Sequence, residues 1–230
     1  LARNLADFPF LSRASDDQRR EILRTLGESI SSAGLDKNAL FLDIDELDEI
    51  DRQVLVERHL ISQQHAEGQG CRGVAISTSE TRALMINEED HLRMQVLRSG
   101  LQLEPLWEEI CELDHLIEAQ TRFAFDDRLG YLTACPTNVG TGLRVSVMLH
   151  LPALKMTGEI EKVLRAAKDL RLAVRGMYGE GTDAIGDFYQ VSNQVTLGVS
   201  EEDIIENFSS NIIPRIVEYE RAARSALADE

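Results

Sequence analysis

The sequence predicts an α+β fold, a mainly antiparallel sheet flanked by helices, and three observations carry that expectation. Apolar residues alternate with period two in several short runs joined by brief polar turns. Longer stretches repeat their apolar positions every three or four residues, the helix period. Strands outnumber helices, so the helices are expected to pack on one face of the sheet. With 230 residues, 43% of them hydrophobic and 28% charged, the chain is an ordinary globular protein of one large domain or two small ones.

The elements follow in order. Ser15-Asp-Asp-Gln18 is a capping box, and Ile22, Leu23, Leu26 and Ile30 follow it on one helical stripe. The acidic run Asp43, Asp45, Glu46, Asp48, Glu49 and Asp51 reads as a solvated face leading into a short helix through His59. Residues 72 to 77 and 82 to 86 read as strands joined by the polar turn Ser77-Thr-Ser-Glu80, with a third strand over 90 to 97. Pro105 suits the first turn of a long helix that buries Leu106, Ile110, Leu113 and Ile117. Strands are expected over 130 to 134, 143 to 150, 171 to 176 and 187 to 192, with a helix over 159 to 170. The last helix opens at Ser200, carries acids in its first turn, and runs towards 228 with a kink at Pro214.

Charge and composition exclude several function classes. A net charge of −16 argues against nucleic-acid binding, which needs a basic face. The acidity either aids solubility or attracts cationic, guanidinium-bearing substrates. No apolar run reaches the length of a membrane span and no signal peptide is visible, so no membrane partner and a cytoplasmic location are expected. Cys71, Cys111 and Cys135 form no Cys-x-x-Cys pair, and the five histidines show no ligand spacing, so neither a disulfide framework nor a protein metal site is expected. The chain also lacks the Gly-x-x-x-x-Gly-Lys-Ser/Thr phosphate loop and the His-Arg-Asp and Asp-Phe-Gly pairs of protein kinases.

Strand parity singles out three arginines. Leu92, Met94 and Val96 share one face, leaving His91, Arg93 and Gln95 opposite. Leu143, Val145, Val147 and Leu149 leave Arg144, Ser146 and Met148 opposite, and Leu172 and Val174 leave Arg171, Ala173 and Arg175 opposite. On one sheet, Arg93, Arg144 and Arg175 would converge into a cationic patch able to hold phosphate oxygens bidentately. Periodicity alone equally allows three scattered solvent-face charges.

The residues around them fit a reacting end. Glu89 has the parity of His91 and Arg93; it reads either as a surface acid or as a carboxylate that orients a guanidinium and takes its proton. Cys135, before a proline and a glycine-containing turn, reads either as an inert cysteine or as a thiol activated by an electropositive setting. Glu180, in the glycine-bounded Arg175-Gly-Met-Tyr-Gly-Glu-Gly181, is a second clamp candidate on a closing loop.

Asn87-Glu-Glu-Asp-His-Leu-Arg93 and Cys135-Pro-Thr-Asn-Val-Gly-Thr-Gly-Leu-Arg144 resemble the signature segments of the guanidino (phosphagen) kinase superfamily. Arg58-His-Leu-Ile-Ser62, Tyr131-Leu-Thr-Ala-Cys-Pro136, Leu149-His-Leu-Pro-Ala-Leu154 and Arg175-Gly-Met-Tyr-Gly-Glu-Gly-Thr182 resemble its bacterial protein-arginine kinase branch. The resemblance implies transfer of the ATP γ-phosphoryl group to arginine side chains of proteins, marking them for Clp-type degradation. A metabolite guanidino kinase and a nucleotide- or phosphoarginine-binding regulator are the alternatives. It implies Glu89, Cys135 and Glu180 as catalytic residues. It further implies nucleotide contacts from His59, Arg93, Arg144, Val145, Ser146, Val147, Met148, Arg175, Gly176, Met177, Tyr178, Gly179 and Glu180, with Mg2+ held through the phosphates. A homodimer, a zinc-binding activator protein and the Clp protease machinery are the implied partners in a bacterial cytoplasm. Residues 1 to 230 are expected to be the catalytic domain without the family's Ser-x-Arg-x-Arg segment and C-terminal helical domain, and so to be weakly active alone.

Overall fold

The structure, a computed structural model, describes residues 1–176 and 185–228. The chain divides into two compact units, Leu1–Gly142 and Leu143–Glu230. Among the described residues no helix is long and apolar enough to cross a membrane.

The first unit runs β1 (Ala2–Arg3), α1 (Asp16–Ala33), β2 (Leu40–Asp43), α2 (Glu49–Glu57), α3 (Gln63–Glu67), β3 (Gly73–Ile76), β4 (Arg82–Ile86), β5 (Leu92–Val96) and α4 (Leu103–Glu118), then the two-residue strands β6 (Phe125–Asp126) and β7 (Gly130–Tyr131). Its main sheet has the order β1-β5-β4-β3-β2, antiparallel throughout. The capping box before α1 forms as expected: the Gln18 amide donates to Ser15 Oγ, and the Ser15 amide donates to the Gln18 side chain. That satisfies amides the first helical turn would leave bare, worth about 1 kcal/mol.

Helices cover both faces of this sheet, not one. α1 and α4 pack on the face of Leu84, Ile86, Leu92 and Met94. The opposite face gathers Val74, Ile76, Ala83 and Met85 with Ile44, Leu55, Val56, Leu60, Ile61 and Ala66 into a second apolar cluster. The acidic run hid this layer. Its charges are solvated, but Ile44 within it and Leu55 and Val56 just after it are buried, and Leu40–Asp43, leading into it, is an edge strand paired with β3. α2 stops at Glu57, short of His59, which takes the left-handed backbone (φ 58°).

A buried arginine ties β1 to α4. Arg3, 2% exposed, bonds the Asp114 carboxylate through Nε (3.1 Å) and Nη2 (2.8 Å). Its Nη1 donates to the carbonyls of Ala2 (3.0 Å) and Thr141 (2.9 Å), and the guanidinium lies 3.5 Å from the Tyr131 ring centre. Every nitrogen of the fork is used, the condition for keeping a charge inside.

The second unit contains β8 (Ser146–His150), α5 (Pro152–Met156), α6 (Ile160–Asp169), β9 (Leu172–Arg175), β10 (Phe188–Asn193), α7 (Glu201–Glu206) and α8 (Ile213–Ala228). β10 is the central strand of an antiparallel sheet ordered β8-β10-β9. β8 begins at Ser146, not at 143, because the Asn193 side chain replaces the ladder there: the Val145 amide donates to its Oδ1 (2.8 Å), and its Nδ2 donates to the Leu143 carbonyl (3.0 Å). The final helix starts at Ser200, as expected, and a capping box to Asp203 forms there. Before Pro214, which has no amide to give, the chain widens into a π-helical stretch over Asn207–Ile212.

Glu220 of α8 docks this helix on α5. Its carboxylate accepts the Ala153 amide at 3.1 Å, the Leu154 amide at 3.0 Å and Arg224 Nε at 2.7 Å. Burial pushes the Glu220 carboxyl up, and those three donors outweigh it, so it titrates below the ordinary glutamate range. Glu220→Ala strands two amides and is expected to cost about 1–3 kcal/mol in urea unfolding. The wild-type contribution is full above the unfolded-state pKa of about 4.3 and fades as pH falls through the lower folded value; a variant equally destabilised at pH 3 and pH 7 contradicts this.

Candidate active site

The segment Asn87–His91 is a tight turn between β4 and β5. Asn87 adopts φ 61°, and its amide donates to the His91 carbonyl at 2.9 Å. Strand parity therefore does not run back through His91 to Glu89. His91 is wholly buried away from any arginine face: its Nδ1 accepts the Leu5 amide (3.0 Å), and Nε2 faces the Pro9 carbonyl (3.0 Å). Those partners require the neutral ring with its proton on Nε2. Desolvation pushes its pKa down to about 4, against the pull of Pro9.

Each polar residue of the turn has a distinct task. Asn87 Nδ2 donates to the carbonyls of Arg19 and Cys71, both at 2.9 Å. Glu88 accepts from Arg93 Nη1 at 3.1 Å and from the Ser62 hydroxyl at 2.6 Å. Asp90 accepts from Asn4 Nδ2 at 2.5 Å and from the Ala134 amide at 2.6 Å. Glu89 is half-buried between these two anchored neighbours.

The Asp90–Ala134 bond ties the turn that carries Glu89 to the segment that carries Cys135, since Glu89 adjoins Asp90 and Cys135 adjoins Ala134 in sequence. Cys135 precedes the short 3-10 turn Pro136–Asn138, with its Sγ 3.0 Å from Thr137 Oγ1. The Thr133 hydroxyl donates to the Cys135 carbonyl at 2.7 Å. Gly142 closes this segment at φ 62°, where a side chain's Cβ would lie 2.6 Å from the Ala2 carbonyl oxygen.

The His59 turn is tied to the face of the main sheet that carries Arg93. Arg93 sits opposite Met85, the face of the second apolar cluster, and Gln95 shares that face two residues on. Gln95 Nε2 donates to the carbonyls of His59 (2.6 Å) and Leu60 (3.0 Å), so the turn after α2 is clamped beside Arg93.

In the second unit, cross-strand register places Met148 and Arg175 on either side of Gln190, and Ser146 and Ala173 on either side of Ser192. These residues share one face, on which Ser146 and Met148 are exposed and Arg175 half-buried. Val147 lies on the other face of β8 and Val145 is buried. Arg144 is half-buried just before the strand, and Gly176 is buried just after β9. Met177, Tyr178, Gly179 and Glu180 lie outside the described residues. Arg93, Arg144 and Arg175 do not share one sheet. β5 and β9 belong to separate sheets and Arg144 to no strand, because each strand set completes its ladder within its own unit.

The family model for the ATP:guanido phosphotransferase, C-terminal catalytic domain, matches residues 21–223. The chain belongs to that family. Protein-arginine kinases of Halothermothrix orenii and Brevibacillus brevis are 50% and 45% identical to it over its whole length. The chain spans 65% and 64% of the length of these two relatives. Among solved structures, a lombricine kinase matches 98% of this chain and 65% of its own at TM-score 0.84 and 26% identity. The duplicated taurocyamine kinase from Schistosoma mansoni, with bound transition state analog components, matches 96% of this chain and 32% of its own at TM-score 0.85 and 25% identity.

For this guanido phosphotransferase domain, the sequence singled out Glu89, Arg93 and Cys135 as candidates but not the groups that hold their segments. Glu88 and Asp90 lie inside the quoted motif, and their charge in a short turn was the available signal. Gln95 and Gln190 carried no signal, since only pairing shows that one reaches the His59 turn and the other separates Met148 from Arg175.

Asp90→Ala strands the Ala134 amide and the Asn4 side chain, for an expected loss of about 1–3 kcal/mol. Amide exchange at Ala134 and thiol labelling of Cys135 should both accelerate, and unchanged rates at both positions would rule out the tether. A second expectation concerns pH. His91 and His65, both pushed down to about 4 chiefly by desolvation, stay neutral when folded while their unfolded forms take up protons below about 6.5. Stability should therefore decline as pH falls from 6.5 towards 4, measured as denaturant midpoints, and a flat profile counts against it.

Proposed function

We propose that this chain is the catalytic part of a protein-arginine kinase, transferring the γ-phosphoryl group of ATP to an arginine side chain. The single observation that carries the reading is the Asp90–Ala134 hydrogen bond. It couples the turn bearing Glu89 to the segment bearing Cys135, in a chain up to 50% identical to protein-arginine kinases. A carboxylate on a turn tied to the cysteine segment offers a seat for a guanidinium, whose fork is read best by planar, negatively charged partners.

In the proposed reaction a guanidinium nitrogen attacks the γ-phosphorus, the bond to the bridging oxygen breaks, and ADP leaves. Glu89 holds the guanidinium plane so that one nitrogen lies in line, and it accepts the proton that nitrogen loses. Cys135 orients the other side of the acceptor, and Glu180 acts as a second carboxylate clamp. By family resemblance His59, Arg93, Arg144, Val145, Ser146, Val147, Met148, Arg175, Gly176, Met177, Tyr178, Gly179 and Glu180 are proposed to bind the nucleotide. Arg93 suits phosphate: the contact with Glu88 uses Nη1 and leaves the other edge of its fork for a second acceptor. Mg2+ held through the phosphates would neutralise charge developing on the transferred group. Proteins with exposed arginines are the proposed substrates. A homodimer, a zinc-binding activator and Clp-type degradation remain part of the proposal by family resemblance, as does residues 1–230 being the catalytic domain of a longer enzyme.

Glu89→Gln removes the proton acceptor while keeping its shape, and should lower turnover by about 10²–10⁴-fold with ADP binding retained. Acid-labile phosphate on an arginine-rich unfolded protein, compared with free arginine, is the readout. Transfer to free arginine alone would point instead to a metabolite guanidino kinase, and wild-type turnover by Glu89→Gln would reject the assignment of the base.

A further inference from the structure

The reaction as proposed makes no use of Glu88, yet Glu88 is the most connected side chain of the motif. It is 1% exposed. Its Oε1 accepts from the Ser62 hydroxyl (2.6 Å) and Arg93 Nη1 (3.3 Å), and its Oε2 from Arg93 Nη1 (3.1 Å) and the Glu89 amide (2.9 Å). Three parts of the proposed machinery thus meet on one carboxylate: the phosphate-binding arginine, the backbone of the catalytic glutamate, and the turn that follows His59. Ser62 carries the link onward, since its hydroxyl also accepts the His65 amide and so caps α3.

We propose that Glu88 is a positioning residue for the nucleotide. It fixes the Arg93 guanidinium and, through Ser62, the His59 turn, before the triphosphate arrives. The inference rests on the functional reading above, because it takes Arg93 and His59 as nucleotide contacts.

Two effects of opposite sign bear on it. A carboxylate beside a phosphate-binding arginine repels phosphate, which alone would make its removal tighten binding. Holding the arginine in one rotamer removes an ordering cost that binding would otherwise incur. Orientation wins here, because the Glu88 charge is already compensated: burial pushes its pKa up, but Arg93, Ser62 and the Glu89 amide together hold it below the ordinary glutamate range. An anion so fully engaged within the fold projects little field onto an incoming phosphate, while the geometry it imposes on Arg93 remains.

The test is a double-mutant cycle on ADP affinity in the whole protein, by titration calorimetry, with ATP kinetics alongside. Glu88→Gln keeps the size and the Ser62 contact but loses the charge. It should weaken ADP about tenfold and raise the KM for ATP in step, with kcat within about threefold of wild type. In an Arg93→Ala background the same change should alter ADP affinity by less than about twofold, because the group it positions is gone. Unchanged or tighter ADP binding by Glu88→Gln overturns the proposal. So does an equal loss in both backgrounds, which is what a merely structural residue gives. If Glu88→Gln fails to fold, Ser62→Ala leaves the Glu88–Arg93 pair in place and should weaken ADP about threefold without a large change in melting temperature. Unaltered affinity in that variant also overturns it. Wild-type protein that binds no ADP defeats the nucleotide reading itself, a result separable from failure of Glu88 alone.

Discussion

The first unit depends on one buried carboxylate, that of Asp90. Its oxygen receives both the Asn4 side chain and the Ala134 amide, so three stretches far apart in sequence meet at a single acceptor. Asn4 in turn accepts the His91 amide at 2.9 Å, and the ring of His91 holds the segment from Leu5 to Pro9. Without that acceptor the turn bearing Glu89 and the turn bearing Cys135 are separate loops. Arg3 supports the same arrangement from below, because its bonds to Asp114 and the Thr141 carbonyl hold β1, α4 and the end of the cysteine segment together.

Charge inside this unit is costly and has been matched donor by donor. Arg3, Glu88, Asp90 and Asp114 are all nearly excluded from water, and each meets partners that use its hydrogen-bonding capacity. Such networks are weak sources of net stability, because desolvation consumes most of the Coulombic gain. They specify geometry instead. Glu89, the proposed base, is flanked on one side by a carboxylate tied to an arginine and on the other by one tied to the cysteine segment, which restrains the turn that carries it. In-line phosphoryl transfer depends on such restraint, since it relies on positioning more than on covalent chemistry.

The second unit solves a different problem with plainer means. Its three-stranded sheet presents Ser146, Met148, Gln190 and Arg175 on one face, while Leu172, Val191 and Tyr189 lie on the other and are buried. Asn193 ends the ladder by giving its side chain where a strand would give backbone, which frees residues 143 to 145 from sheet geometry. Glu220 then anchors the last helix through the amides that open α5. Among the described residues of that unit no ion pair is buried on both sides as Arg3 and Asp114 are.

The sequence by itself determined what is local. The capping box at Ser15, the helix start at Ser200, the alternation of β3, β4 and β5, the apolar stripe of α4 and the two signature segments were all legible, because each depends on residues within one or two turns of each other. It misread what depends on distant partners. The acidic run concealed a buried layer, since solvated charges and core residues alternate there. His91 looked like a member of an arginine face, since parity cannot reveal that Asn87 turns the chain before the strand begins. Periodicity gave Arg93, Arg144 and Arg175 their faces but not their sheets, which differ for β5 and β9. Only the tertiary structure decided that Asp90 bridges Asn4 and Ala134, and that Glu88 joins Ser62 to Arg93. A hydrogen bond between residues tens of positions apart leaves no period in a single chain, and its partners are chosen by where the sheet puts them.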